Sequence, residues 1–305
     1  MTDSSACTDS PHSPQHVLVA GCGYLGSRAA ATWAQQDVRV SVLTRKSDKA
    51  EQLSTEGFHP ILADLGAGEL PQLPQIDTVL WSVGFDRTPG VSRETIWIDG
   101  LQTLLTNLPA TVQRFLYVSS TGVYSQSDGS DVSESDPAEP NTDSGRCCLQ
   151  AERIVLRHGA KFGFRPTIFR MAGLYGPDRL LRRAADLREG TALSGSPDNF
   201  LNLIHIDDAV TAVRRLAGSS DVSLINVVNS GTLTRSEYYA ALAQLVDAPA
   251  PQFDETKATT RGNNKRVISE VATTAGLEYR YDNVRNGLHH SVTHSSDLGT
   301  ASTDL

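Results

Sequence analysis

The chain has 305 residues, 27 of them basic and 35 acidic, for a net charge of −8 at neutral pH. That balance lacks the basic stripe of a nucleic-acid surface, and no apolar stretch approaches the roughly 20 residues of a membrane span. The four cysteines, Cys7, Cys22, Cys147 and Cys148, show neither a disulfide framework nor a metal-ligand spacing, so a reducing, cytoplasmic setting is expected.

Residues 1–15 are rich in Ser, Thr, Asp, Pro and His and lack the charged start and apolar core of a secretory signal. They and residues 291–305 are expected to be disordered polar tails. His16–Ala20 reads as a buried strand that breaks into Gly21-Cys22-Gly23-Tyr24-Leu25-Gly26 and runs on as a helix over Tyr24–Gln36. That order suits a dinucleotide-binding turn. Gly21 permits the turn, Gly23 lets the backbone approach a pyrophosphate, and Gly26 lets the helix pack on the sheet. The first helical amides, from Tyr24 and Leu25 onward, then face the phosphates.

A second strand, Val38–Leu43, ends in Thr44-Arg45-Lys46-Ser47, with no carboxylate before Asp48. An acidic residue here would hold the ribose hydroxyls of NAD. Thr44 and Arg45 instead suit a 2′-phosphate, so NADP is the preferred cofactor and NAD the second choice. After a helix over Ser47–Thr55, the strand Phe58–Leu62 closes at Asp64-Leu65. The Asp64 carboxylate can accept from an adenine amino group with Leu65 on the ring, or it can cap a turn. Asp77–Val83 is nearly all apolar, as in a strand covered on both faces. Its end, Ser82-Val83-Gly84, can come close to the cofactor. Asp86, Arg87 and Arg93, before and within a helix over Ser92–Leu108, are candidate substrate contacts. The strand Arg114–Ser119, the helix Ser144–His158 and the strand Pro166–Arg170 continue the alternation. The fold class is α/β: a doubly wound, Rossmann-type parallel sheet.

Beyond Gly176 the pattern loosens. Helices are expected over Arg179–Glu189, Asp207–Leu216, Thr234–Leu245, Lys265–Ala275 and Asn283–His289, with a loop over Thr191–Asn202 and a strand over Leu224–Val228. Residues 16–290 form the dinucleotide-binding domain, with a small C-terminal substrate lobe drawn mainly from 177–205 and 229–290. Arg179, Arg182 and Arg183 form a basic helix face, suited to an anionic substrate or to solvent. His289 and His290 are adjacent and cannot both face one metal from a helix, and no metal site is expected.

Four ordered segments carry a family resemblance over roughly residues 16–290: the glycine turn, Leu116-Tyr117-Val118-Ser119-Ser120-Thr121-Gly122-Val123-Tyr124, Phe169-Arg170-Met171-Ala172-Gly173-Leu174-Tyr175-Gly176-Pro177, and Asn202-Leu203-Ile204-His205-Ile206-Asp207-Asp208. Together they resemble the extended short-chain dehydrogenase/reductases, which include nucleotide-sugar epimerases and dehydratases. Val83-Gly84-Phe85-Asp86-Arg87 and Asp99-Gly100-Leu101 look like the atypical YeeZ-type subgroup.

The resemblance implies that Ser120, with Thr121 beside it, binds the reacting oxygen. It also implies that Ser119, Gly173 and Tyr175 line the cofactor and that His205 lies at the substrate or serves the fold. A homodimer paired through helices beside the sheet fits the same resemblance. The family's Tyr-x-x-x-Lys pair is missing: Ser144 stands at the tyrosine position and Cys148 at the lysine position, and no Tyr or Lys lies between Ser125 and Ala160. Serine is a poor proton donor beside a lysine-assisted phenol. Tyr124 is either the nearest alternative phenol or, preferably, a packed aromatic at the strand end, and Arg146 can contact ribose or phosphate. The expected function is an NAD(P)-binding oxidoreductase, epimerase or dehydratase acting on a small or nucleotide-linked substrate. The alternative is a non-catalytic NAD(P)-binding sensor or regulator.

Overall fold

A computed structural model describes residues 13–85, 91–218, 222–257, 263–281 and 283–296. Seven strands form the central sheet: β1 (His16–Ala20), β2 (Arg39–Thr44), β3 (His59–Leu62), β4 (Thr78–Trp81), β5 (Arg114–Ser120), β6 (Arg165–Met171) and β7 (Leu224–Val227). Their spatial order is β7-β6-β5-β4-β1-β2-β3. The sheet is parallel, with register Val19 to Val42 and Val19 to Leu80 on the two sides of β1. Every residue of β1 and β4 is buried, which explains their unbroken apolar runs. The Asp77 carboxylate accepts from the His16 amide at 2.8 Å and the Gln15 amide at 2.9 Å, so the start of β1 is tied to the start of β4.

Nine helices are described: α1 (Tyr24–Ala34), α2 (Ser47–Thr55), α3 (Gly100–Thr106), α4 (Asp143–Phe162), α5 (Leu181–Arg188), α6 (Ile206–Ala217), α7 (Arg235–Leu245), α8 (Glu270–Thr274) and α9 (Val284–Thr293). The expected helix over Ser92–Leu108 is shorter and opens with a wide π-type turn, Thr95–Asp99. Gly100 then packs on Leu65, where a Cβ would sit 3.2 Å from the leucine Cβ.

The chain forms two compact units. One comprises residues up to Tyr117 with Arg153–Thr167 and Val213–Ser223, and holds the glycine turn, α1, α2 and α3. The other comprises Val118–Glu152, Ile168–Ala212 and Leu224 onward, and has its own core, in which Tyr175, Leu187, Tyr238, Leu242, Val284 and Leu288 are buried together.

Three segments differ from expectation in this second unit, the first being the expected loop Thr191–Asn202, in which Leu193–Ser194 pairs with Phe253–Asp254 and Phe200–Leu201 with Leu233–Thr234. No helix starts at Lys265: Arg266–Val267 pairs in parallel with Asp131–Val132, and the Val267 amide donates to Asn202 Oδ1 at 2.7 Å. Helix α9 continues past Ser291, where a tail is expected, because Ser291 and Ser295 are buried. The Asp178 amide donates to Ser295 Oγ at 2.8 Å, and the Ser296 amide returns a bond to the Asp178 carboxylate at 2.9 Å.

Candidate active site

In the first unit, the glycine turn joins β1 to α1. Gly21 has φ +95°, and a Cβ there would lie 2.6 Å from the backbone of Ser82 and Val83. At Gly26 a Cβ would lie 2.1 Å from the Gly21 carbonyl. Glycine is therefore required at Gly21 by conformation and contact, and at Gly26 by contact alone. Gly23 differs: a Cβ there would meet nothing within 4 Å. The backbone at Gly23 thus opens onto free space, and no side chain caps the first turn of α1. Ser82 Oγ donates to the Gly21 carbonyl at 2.7 Å and fixes the turn to the end of β4.

A cavity of about 280 Å³ lies at this turn. Its lining brings together expected cofactor residues from four places: Gly21, Thr44 and Arg45, Asp64 and Leu65, and Val83 and Gly84. Lys46 and Lys49 add positive charge. Cys22 also lines the cavity, and burial pushes its thiol pKa up. Of the two readings open for Asp64, the cap is present: Oδ1 accepts from the Gly66 amide at 3.0 Å and the Ala67 amide at 3.3 Å. An open glycine backbone, an uncapped helix start and a cationic rim fit a dinucleotide.

Arg93 lies with its guanidinium 4.8 Å from the Phe85 ring and 5.9 Å from that of Trp97. Asp86 and Arg87 lie outside the described residues.

In the second unit, Ser120 Oγ accepts from the Gly122 amide at 3.1 Å and caps the short turn Thr121–Val123. The start of α4 abuts this turn, since a Cβ on Gly145 would lie 2.5 Å from the Gly122 carbonyl. The turn that follows Ser120 thus lies against the residue next to Ser144. Ser144 is half-buried, with its Oγ 3.4 Å from Thr142 Oγ1, and Cys148 is buried one turn on. Arg146 is exposed and paired with Asp143.

Of the two readings open for Tyr124, the packed residue is the one present, and the candidate acid is not. Tyr124 is 1% exposed, its hydroxyl donates to Asn226 Oδ1 at 3.0 Å, and it accepts from Arg170 at 2.9 Å. Burial raises its pKa further. Behind it, Arg170 forms a bidentate pair with Glu152 (3.1 and 2.8 Å), and Ser119 Oγ donates to the same carboxylate at 2.5 Å. Ser119, expected at the cofactor, is thus spent within a buried network. Lys265 joins this region from a distant segment, its buried Nζ donating to the Tyr124 carbonyl at 2.9 Å. Glu152, Arg170, Asn226 and Lys265 escape sequence reading. The one available signal is Glu152, an acidic residue on the apolar face of α4.

Gly173 pairs with Leu203 in a short parallel ladder. Tyr175 belongs to the second core and not to an open surface: its hydroxyl donates to the Val284 carbonyl at 3.4 Å, and a Cβ on Gly287 would lie 2.1 Å from the same oxygen. His205 is 0% exposed, packed edge-on against Tyr175 and 4.1 Å from the Tyr281 ring. No metal site is expected from the sequence, yet the fold brings one group of ligand-type side chains together. His205, Asp207 and His290 place ligand-type atoms within 4.8 Å of one another. His290 arrives from α9, a meeting invisible in the local sequence.

The family model for the NAD dependent epimerase/dehydratase family matches residues 17–229. The chain belongs to that family. No curated protein matches this member of the epimerase/dehydratase family. Among solved structures, it is similar to a functionally unknown conserved protein from Silicibacter pomeroyi, with 25% identity, TM-score 0.76 and coverage of 92% of this chain and 99% of that one. MoeE5, solved in complex with UDP-glucose and NAD, shares 22% identity at TM-score 0.74, over 90% and 97% of the two chains. The UDP-glucose 4-epimerase of Thermotoga maritima shares 17% identity at TM-score 0.77, over 92% and 98%. The last two likenesses establish the fold of this epimerase/dehydratase family member. None of its described helices is long and apolar enough to cross a membrane.

Proposed function

We propose that this epimerase/dehydratase family member binds NADP in preference to NAD and acts on a nucleotide-linked sugar through an atypical site. The observation that carries the reading is the cavity at the glycine turn, where Thr44, Arg45, Lys46 and Lys49 all contribute to the lining. A cationic rim without a carboxylate at the end of β2 suits a 2′-phosphate. Gly23 and the first turn of α1 hold the pyrophosphate, and Leu65 packs on the adenine. The bound cofactor supplies hydride exchange at its nicotinamide ring. Ser120 and Thr121 orient the reacting oxygen, with Ser144 beside them. Arg93 is a substrate contact. Similarity to a UDP-glucose 4-epimerase and to MoeE5, solved with UDP-glucose and NAD, supports the substrate class, and the YeeZ-type motifs support an atypical subgroup. A homodimer belongs to the same reading, supported by Leu156 and Phe162 of α4, which are 42% and 56% exposed.

The test is product formation. The chain is incubated with NADP or NAD and UDP-glucose or UDP-glucuronate, and the nucleotide sugars are separated chromatographically. The reading expects conversion of a nucleotide sugar that Ser120→Ala abolishes. Undiminished conversion by Ser120→Ala refutes the assignment of Ser120. The second reading, a cofactor-binding sensor, is favoured by Ser144 and Cys148 at the usual Tyr and Lys positions. It expects tight cofactor binding with no conversion.

A further inference from the structure

The second unit brings together three side chains whose chemistry the nucleotide site does not use. His205 ends the short strand Leu203–His205, Asp207 lies in the first turn of α6, and His290 comes from α9. Their ligand-type atoms lie within 4.8 Å of one another. His205 Nδ1 is 3.6 Å from Asp207 Oδ2 and accepts from the Asp207 amide at 3.2 Å, a bond that a metal ion would replace. Two ligands on a tetrahedral zinc ion, with bonds of about 2.0 Å, stand about 3.3 Å apart. The first pair is therefore near ligand spacing already, and His290 closes the rest by side-chain rotation. The His290 ring stands 5.3 Å from the His205 ring at 72°, so the two imidazoles are angled to each other and not stacked. His290 Nδ1 is buried and takes no hydrogen bond from any described residue.

We propose that His205, Asp207 and His290 bind one divalent transition-metal ion of the zinc or cobalt type. Two imidazoles and one carboxylate are a borderline donor set that suits such ions over magnesium or calcium. Water would complete the coordination, since the His294 ring is stacked on His290 at 4.1 Å and its Nδ1 lies 3.0 Å from the His290 carbonyl. Arg280 stands 3.8 Å from Asp207 Oδ2 on a side chain that is 68% exposed, so a metal displaces it into solvent without breaking a buried contact. The ion would join α9 to the start of α6 and act as a structural staple in the second unit.

The test uses the full chain, without any added histidine tag and stripped by a chelator, titrated with cobalt(II) alone. Visible absorption and the melting temperature are read together. The expected result is a one-to-one visible band, a rise in melting temperature, and displacement of the band by zinc. His290→Ala and Asp207→Asn should each weaken binding by at least roughly tenfold. His289→Ala, an exposed neighbour, should leave it unchanged. His205 is fully buried and its loss can unfold the unit, so the surface-accessible pair carries the test. Absence of a band and of a melting shift overturns the proposal. So does equal binding by the wild type and His290→Ala, which marks loose surface coordination.

Discussion

Replacing Arg170 by methionine removes the cation from a buried pair while keeping much of the side chain's volume. In the native chain its guanidinium makes three hydrogen bonds: two to Glu152, at 3.1 and 2.8 Å, and one to the Tyr124 hydroxyl at 2.9 Å. Both charged side chains are almost fully buried. Without Arg170 the Glu152 carboxylate keeps only the Ser119 hydroxyl among the described residues. Stranding one member of a buried ion pair costs about 3–5 kcal/mol. In a chain of this size that corresponds to a melting drop on the order of 10 °C. Replacing both partners, Arg170→Met with Glu152→Leu, removes the stranded charge and should recover about 3–5 kcal/mol relative to the single variant. Thermal and urea unfolding followed by circular dichroism measures all three chains. A single variant melting within about 2 °C of wild type, or a double variant no more stable than the single, refutes the reasoning.

Gly21→Ala and Gly57→Ala form a matched pair, with φ of +95° and +88°. Only Gly21 would bring a Cβ against backbone, at 2.6 Å, while Gly57 has nothing within 4 Å; both should lose about 1–3 kcal/mol to backbone strain, but only Gly21→Ala should lose more and lose cofactor binding, by melting and titration. His16 is held neutral in the fold because burial lowers its pKa; Nδ1 donates to the Gln75 carbonyl at 2.7 Å and Nε2 lies 2.8 Å from Ser41 Oγ. The unfolded chain therefore binds more protons below the ordinary histidine pKa of about 6.5, so this group's contribution is present above that pH and lost as pH falls through the lowered value. Urea unfolding of His16→Gln should show a flatter stability profile than wild type between about pH 6.5 and that lowered value, and parallel profiles there would contradict this. Thr234 caps α7 in a reciprocal box with Glu237, so Thr234→Ala should lose about 1 kcal/mol in the same assay.

What the sequence reveals here follows from the range of the forces involved. The glycine turn is legible because its demands are local: a positive φ at Gly21 and two contacts that exclude a Cβ are written in three glycines and the strand before them. The parallel sheet is legible because burial on both faces leaves unbroken apolar runs in β1 and β4. Helix α2 falls on Ser47–Thr55, as its pattern predicts. The expected helix Lys265–Ala275 survives only as α8, because the start of the segment is decided elsewhere: Asp131–Val132 and Asn202 recruit Arg266 and Val267 into a ladder against their helical pattern. Tyr124 is ambiguous from its neighbours alone, since Asn226 and Arg170, which occupy its hydroxyl, lie far along the chain. His290 shows the same limit. Its partner is not adjacent His289 but His205, brought near by the packing of α9.

The central claim is that the cavity at the glycine turn holds a nicotinamide dinucleotide. It is tested most directly by titrating the chain with NADPH, NADP+, NADH and NAD+ while following tryptophan fluorescence, because Trp81 lines that cavity. The account predicts saturable quenching, tighter for NADPH than for NADH, with Arg45→Ala weakening NADPH about tenfold, the scale of one charged hydrogen bond, and leaving NADH nearly unchanged. Absence of saturable binding by all four nucleotides would contradict it.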